Sequence, residues 1–206
     1  MRKRLETLVQ WVRGPVIADI GCDHGLLDIL AVSQGRAQKA YACDIAQGPL
    51  DRAVSAIQKA GMTETVIPVL CDGIPDFADI DQVIIAGMGA ETIIHILETS
   101  PVRTDRMLLS PHSKDSLLRQ YLTDHGSRII RERTVKERDH FYPVMEVERG
   151  SQTLTPAQLA YGCNVLEDED RRQFLQYEKN RLETLKARVP QAAEVDERLT
   201  LLRTLF

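Results

Sequence analysis

The sequence predicts an α/β fold built on a doubly wound, mostly parallel sheet, and three features predict it. Short apolar runs alternate with stretches of helical periodicity, the pattern of parallel strands joined by crossover helices. Gly35, Gly61 and Gly126 stand where three of those helices should stop, glycine being the residue that enters a left-handed turn without steric cost. The first strongly apolar run also breaks into a glycine turn, "VIADIGCDHGLLDIL" over residues 16–30, the strand–turn–helix opening at which such folds bind ligands.

Taken in order, the chain opens with an amphipathic helix that places Leu5, Leu8, Val9 and Val12 on one face, with Trp11 beside them as a core residue. Strands are expected over 16–20, 39–43, 65–70, 82–86 and 106–109, and helices over 26–34, 48–60, 91–99 and 113–125. From Ser127 the text changes to "SRIIRERTVKERDHFYPVMEVERG", two extended segments around a charged centre, most simply an antiparallel pair closing one edge of the sheet. No strand is expected beyond Gly150. Thr155 and Pro156 have the residue types of a helix cap and first position. A long helix then carries Phe174, Tyr177, Leu182 and Leu185 on one stripe, and another amphipathic helix follows Pro190. The expected organisation is a main domain over 1–150 and a small helical, coiled-coil-like unit over 151–206.

Composition sets outer bounds. With 206 residues, 43% hydrophobic and 27% charged, the chain can bury one solid core and is too apolar for disorder. Its formal net charge of −4 gives no bulk footprint of a nucleic-acid binder, so any such surface must be a local patch. No stretch approaches the roughly 18 apolar residues of a membrane span, and the chain reads as soluble and cytoplasmic, with no obligate protein partner evident. Cys22, Cys43, Cys71 and Cys163 have no C-x-x-C spacing and read as reduced, small strand residues.

Ligands of open α/β sheets lie outside the carboxyl ends of the strands. Those ends carry Asp19, the turn Gly21-Cys22-Asp23-His24-Gly25, then Asp44-Ile45, Asp72-Gly73 and Ala86-Gly87-Met88-Gly89. Asp44 follows Asp23 by 21 residues, close to the offset of about 20 at which an acid after the second strand meets a ribose. Asp23 sets the chemistry. A carboxylate within about 4 Å of a pyrophosphate would repel it by several kcal/mol at intermediate dielectric, which argues against a dinucleotide. S-adenosylmethionine has an adenosine, no phosphate, and positive sulfonium and ammonium groups, so an acidic turn suits it. Asp23 could instead only cap the following helix. A metal held by the repeated Cys-Asp pairs is disfavoured because paired Cys or His ligands at zinc spacing are missing, and no metal is expected.

These residues resemble the bacterial tRNA (adenine-22-N1)-methyltransferases, a branch of the class I S-adenosylmethionine-dependent enzymes. The resemblance runs nearly end to end through "KRLETL" (3–8), "ADIGCDHGLL" (18–27), "GP" (48–49), "DG" (72–73), "IAGMGA" (85–90), "LLSPH" (108–112), "LRQYLTDHG" (118–126) and "FY" (141–142). It implies a Rossmann-like, seven-stranded methyltransferase sheet with a helical C-terminal domain. It also implies Gly21, Asp23, His24 and Gly25 around the methionine part of the cofactor, Asp44 on its ribose and Asp72-Gly73 near its adenine. Ala86, Gly87, Met88 and Gly89 then line the space between cofactor and target base. Ser110-Pro111-His112 stands where the family usually has Gln-Pro-Asn, and Ala90 replaces a usual second glycine, so substrate identity is the property most open to change.

Adenine N1 has an in-plane lone pair at neutral pH, so transfer of a methyl group to it requires placement rather than deprotonation. N1 lies on the Watson–Crick edge, and a paired base must be flipped out first. Asp23 is the candidate catalytic residue, orienting the base with Ser110, Pro111 and His112; the same carboxylate could equally serve only the cofactor. For the RNA, the segment 103–139 carries nine Lys or Arg against six acids, among them the candidate RNA contacts Arg131 and Arg133, with Arg103 at its start. That run could equally be a solvated face. Three other readings stay open: a methyltransferase for a small molecule, a nicotinamide oxidoreductase, and an RNA-binding module with a vestigial pocket.

Overall fold

A computed structural model describes residues 2–100 and 104–205; Arg103 therefore lies outside the described residues. The elements in chain order are α1 (Lys3–Trp11), β1 (Val16–Ile20), α2 (Leu26–Ser33), β2 (Lys39–Asp44), α3 (Gln47–Ala60), β3 (Val66–Leu70), β4 (Gln82–Ala86), α4 (Ala90–Thr99), β5 (Arg106–Ser110) and α5 (Asp115–Asp124). They continue with β6 (Ser127–Glu137), β7 (His140–Arg149), α6 (Pro156–Tyr161), α7 (Glu169–Arg188) and α8 (Ala193–Arg203). The expected α/β class holds: one seven-stranded sheet has the order β3-β2-β1-β4-β5-β7-β6, with β1 to β5 parallel and β7 antiparallel to both β5 and β6. The order reverses between β1 and β4, which places a crevice outside their carboxyl ends.

Alternation along the buried strands divides the core in two. Ile17, Ile84 and Leu108 face α1, α2 and α3, together with Leu8, Trp11, Leu27 and Ile57. Ala18, Ile85 and Leu109 face the other way, onto Ile93 and Ile96 of α4 and Leu118 and Leu122 of α5. The expected boundaries shift little, and the shifts have local causes. Asp44 and Ser110 each complete their strand. The helix expected from Ser113 begins at Asp115 because Lys114 takes a left-handed φ of 55°.

After β7, Thr155 accepts a hydrogen bond from the Gln158 amide while the Gln158 side chain returns one to Thr155, with Pro156 in the first turn. This reciprocal cap satisfies two otherwise orphaned donors. The stripe expected on α7 is half right: Phe174 and Leu182 pack into the core of the C-terminal helices. Leu175 and Leu182 are buried with Tyr161, Val195 and Leu202 in a third core, whereas Tyr177 and Leu185 are exposed. The helix is rotated because Glu178 also points inward, where it pairs with Arg181 and Arg198. Val165 adds a single parallel bridge to Glu132, where no extended pairing beyond Gly150 was expected.

Candidate active site

The turn after β1 is a chain of special backbone positions. Gly21, Asp23 and Gly25 all have positive φ, at 79°, 49° and 62°, which glycine tolerates and aspartate adopts more readily than most other residues. The amides of Gly21 and Cys22 both donate to the Cys43 carbonyl, at 2.8 and 2.9 Å, so the turn is pinned to the end of β2. Asp44 finishes the clamp: its Oδ1 accepts from the Ala46 amide at 3.0 Å and its Oδ2 from the Asp23 amide at 3.4 Å. A Cβ on Gly21 would collide with the Met88 Cε, so the turn and the loop after β4 touch at this glycine.

Asp23 does not cap α2. Gly25 occupies the cap position, in the left-handed region and without a side-chain hydrogen bond. The Asp23 carboxylate, 58% exposed, instead accepts from Arg52 Nη2 of α3 at 2.6 Å and lies 3.5 Å from His24 Nε2. Arg52 was not legible as a site residue, since it lies on the exposed side of a helix distant in sequence.

The loops after β4 and β5 zip together. Gly87 N donates to the Ser110 carbonyl at 3.1 Å, His112 N to the Met88 carbonyl at 2.9 Å, and Ala90 N to the Ser113 carbonyl at 3.1 Å. His112 Nδ1 lies 2.9 Å from the Gly87 carbonyl. A carbonyl only accepts, so Nδ1 carries the proton and a neutral ring leaves Nε2 as a bare acceptor. Ser110 is fully buried and its hydroxyl has no protein partner.

Two cavities flank this pair of loops. A cleft of about 1180 Å³ is lined by Asp19, Gly21, Cys22, Asp23, His24 and Ala86, and closed on its far side by Arg2, Arg4 and Leu5 of the N-terminal region and by Glu137. A second, of about 730 Å³, lies under the C-terminal helices, where Pro111 and His112 meet Arg119, Arg181, Arg198, Phe141, Tyr161 and Phe174. Asp23 lines the first and His112 the second, so the expected grouping of Asp23 with Ser110, Pro111 and His112 is not assembled in one cavity. Ile45 and Asp72 are exposed at the β2 and β3 ends, with Gly73 buried beside them. Arg131 and Arg133 are engaged elsewhere. Arg131 pairs with Glu146 and lies 4.0 Å over the Trp11 ring, and Arg133 pairs with Asp168 at 2.9 Å.

Sequence reasoning also missed Asp28, fully buried on α2. Burial pushes the Asp19 carboxyl up to about 7, and burial followed by the neighbouring Asp19 charge holds Asp28 well above the usual carboxylate range.

The cleft fits S-adenosylmethionine on its own features: carboxylates at the β1 and β2 ends, Asp19 and Asp44, and the exposed Asp23 carboxylate in the turn between them suit a cofactor with an adenosine and positively charged sulfonium and ammonium groups. A doubly wound sheet closed by an antiparallel β7-β6 pair, with an acidic turn after β1, defines a class I S-adenosylmethionine-dependent methyltransferase. A family described as "Methyltransferase domain" matches residues 1–145. The Bacillus subtilis (strain 168) tRNA (adenine(22)-N(1))-methyltransferase is 30% identical over 186 residues, covering 87% of this chain and 76% of that protein. Streptococcus pneumoniae Sp1610, solved in complex with S-adenosyl-L-methionine, superposes with a TM-score of 0.89 at 28% identity, covering 99% of both chains. M. capricolum TrmK, solved with S-adenosyl-homocysteine, gives 0.88 at 26% identity, covering 100% of this chain and 97% of that one. The chain belongs to the tRNA (adenine-22-N1)-methyltransferase family.

Proposed function

We propose that this protein methylates N1 of an adenine in tRNA, at position 22 in the D-arm region. The observation that carries the reading is the interlock of Ser110, Pro111 and His112 with Ala86, Gly87, Met88 and Gly89. This interlock stands between the cleft suited to the cofactor and a second cavity walled by aromatic rings and arginines. The relatives' names supply the substrate class and position. When bound, the cofactor supplies a methyl group made electrophilic by its sulfonium.

The chain's own residues supply placement. A flipped adenine could present its N6 amino group to His112 Nε2; Ser110, fully buried at the end of β5, lines neither cavity and acts through the loop it holds. Fixing the plane of the base aims the N1 lone pair, and orientation of this kind is worth several orders of magnitude in rate. Asp23, held by Arg52, is assigned to the cofactor side together with Gly21, Cys22, His24, Gly25 and Asp44. Asp72 and Gly73, with the exposed Ile45, form the adenine end of the cofactor site. Residues 1–150 then act as the cofactor-binding catalytic domain and 151–206 as a helical roof over the substrate cavity. Arg131 and Arg133 contribute to RNA binding only by exchanging a carboxylate for a phosphate.

Incubation with labelled S-adenosylmethionine and unmodified tRNAs, followed by mapping of the methyl group, tests the assignment. Label at adenine-22 N1 is expected, with RNA binding that weakens as salt rises. Transfer to no tRNA by a protein that binds the cofactor would defeat it. His112→Ala is expected to lower kcat/KM for tRNA by about 10- to 100-fold, with cofactor affinity unchanged. His112→Asn, which restores the residue usual in the family, should retain most of the rate, and equal losses in the two variants would remove the acceptor role.

A further inference from the structure

Asp28 is a buried acid that the methyl-transfer chemistry leaves unused and, unlike the buried Glu132, Glu146, Asp170 and Glu178, it pairs with no cation among the described residues. It sits in the first turn of α2 and is fully buried. Neither of its oxygens has a donor in hydrogen-bonding geometry. Its side chain meets the Asp19 carboxyl at the end of β1, which is itself buried and lines the cofactor cleft.

The surroundings deepen the problem. Asp44 on β2 adds a further negative charge; the Cys22 thiol beside the pair is pushed up by burial and by these acids, and that of Cys43 first by its hydrogen bond with Cys71 and then by burial. The titratable and charged groups around the cleft are Arg2 and Arg4 at the N-terminal end, Asp23 and His24 in the turn, Arg52 on α3 and Glu137 on β6. None of the ion pairs among the described residues includes Asp19 or Asp28. Two carboxylates buried together without a cation cannot both stay ionised. One proton held between them converts an acceptor facing an acceptor into a donor and an acceptor, which also gives one of the two orphaned Asp28 oxygens a partner.

The geometry points to Asp19 and Asp28 as a proton-sharing pair that sets the charge of the cleft. The free protein holds one proton between them, and entry of the positively charged end of the cofactor expels that proton to solvent. Asp28 is thus a positioning residue: it acts on the cation through Asp19. The pair is −1 in the free protein and −2 against the bound cation, and the N-terminal end of α2 favours negative charge on Asp28. The inference rests on the cofactor and not on the RNA, so it stands whichever nucleic acid is methylated.

Titration calorimetry of the purified protein with S-adenosylmethionine, in buffers of differing ionisation heat, counts the proton. The wild type is expected to release close to one proton near pH 6.5, and its affinity should rise by up to about tenfold per pH unit from pH 6 to 7. Asp28→Asn should release none and show a flat profile while keeping its melting transition. Asp28→Leu removes both oxygens and serves as a second test of the same loss. In the absence of cofactor the sign is opposite to that of an ordinary aspartate. A carboxyl raised on folding binds its proton more tightly in the native state, so the stability it contributes is present below about pH 4 and is lost as pH rises toward 7. The wild type should therefore lose stability relative to Asp28→Asn across that window. A wild-type affinity that does not change with pH, or a slope that survives in both variants, would overturn the pair.

Discussion

Arg119→Ala is expected to destabilise the protein by about 3–5 kcal/mol, the cost typical of removing one partner from a buried, hydrogen-bonded ion pair. The Arg119 side chain is 2% exposed and that of Glu132 1%. Two nitrogens of Arg119 donate to the two Glu132 oxygens at 3.2 and 2.7 Å, and a third donates to the Leu159 carbonyl at 2.8 Å. Asp115 adds a contact at 2.7 Å, and Glu132 Oε2 also accepts from the Cys163 amide at 3.2 Å. Truncation of the arginine therefore strands a buried carboxylate and frees a carbonyl of α6 together. Urea unfolding should show the midpoint fall with little change in slope. Arg119→Met paired with Glu132→Leu, which removes both charges and keeps the volume, should recover much of the loss. If Arg119→Ala costs less than about 1 kcal/mol, the network is solvated and does not tie α6 to α5 and β6.

That network also marks where sequence reasoning stops. The five parallel strands were legible because burial on both faces forces continuous apolar runs, and the helix stops because Gly61 and Gly126 occupy left-handed positions. In β6 the pairing register shifts between Ile129 and Arg131. The shift moves alternate residues to the opposite face. Ile129 packs with the α4 and α5 core and Val135 with the α1 to α3 core, although their spacing would place them together. Glu132 enters the protein by the same step, and nothing local in "RIIRERTV" announces it. Similarly, Asp44 could be identified from its distance to the glycine turn, whereas the partner of Asp23 on α3 and the partner of Asp19 on α2 exist only after the chain has folded. Long-range pairing of polar groups leaves no periodic trace in a sequence, and it decides which of the acids faces a cation, an arginine or another acid.

The second large effect concerns Asp44. Its two oxygens each accept one backbone amide, from Ala46 and from Asp23. A carboxylate oxygen has a further lone pair, so Asp44 can hold the turn and still accept from two ribose hydroxyls. Hydrogen bonds to a charged acceptor contribute about 1.5–3 kcal/mol each. Asp44→Ala would remove both of the proposed ribose acceptors and releases the Asp23 amide, whose residue already sits at positive φ. Cofactor affinity is expected to fall about 100-fold or more, equivalent to roughly 3 kcal/mol, while binding of RNA through its phosphates, measured separately, stays the same. Asp44→Asn keeps one acceptor but turns an amide donor toward a backbone N–H, so an intermediate loss of about tenfold is expected. Calorimetric titration of the three proteins gives the order directly. Unchanged affinity in Asp44→Ala would place the ribose elsewhere and leave Asp44 only the turn to hold. A loss in both variants with a preserved melting transition would assign both tasks to this one carboxylate.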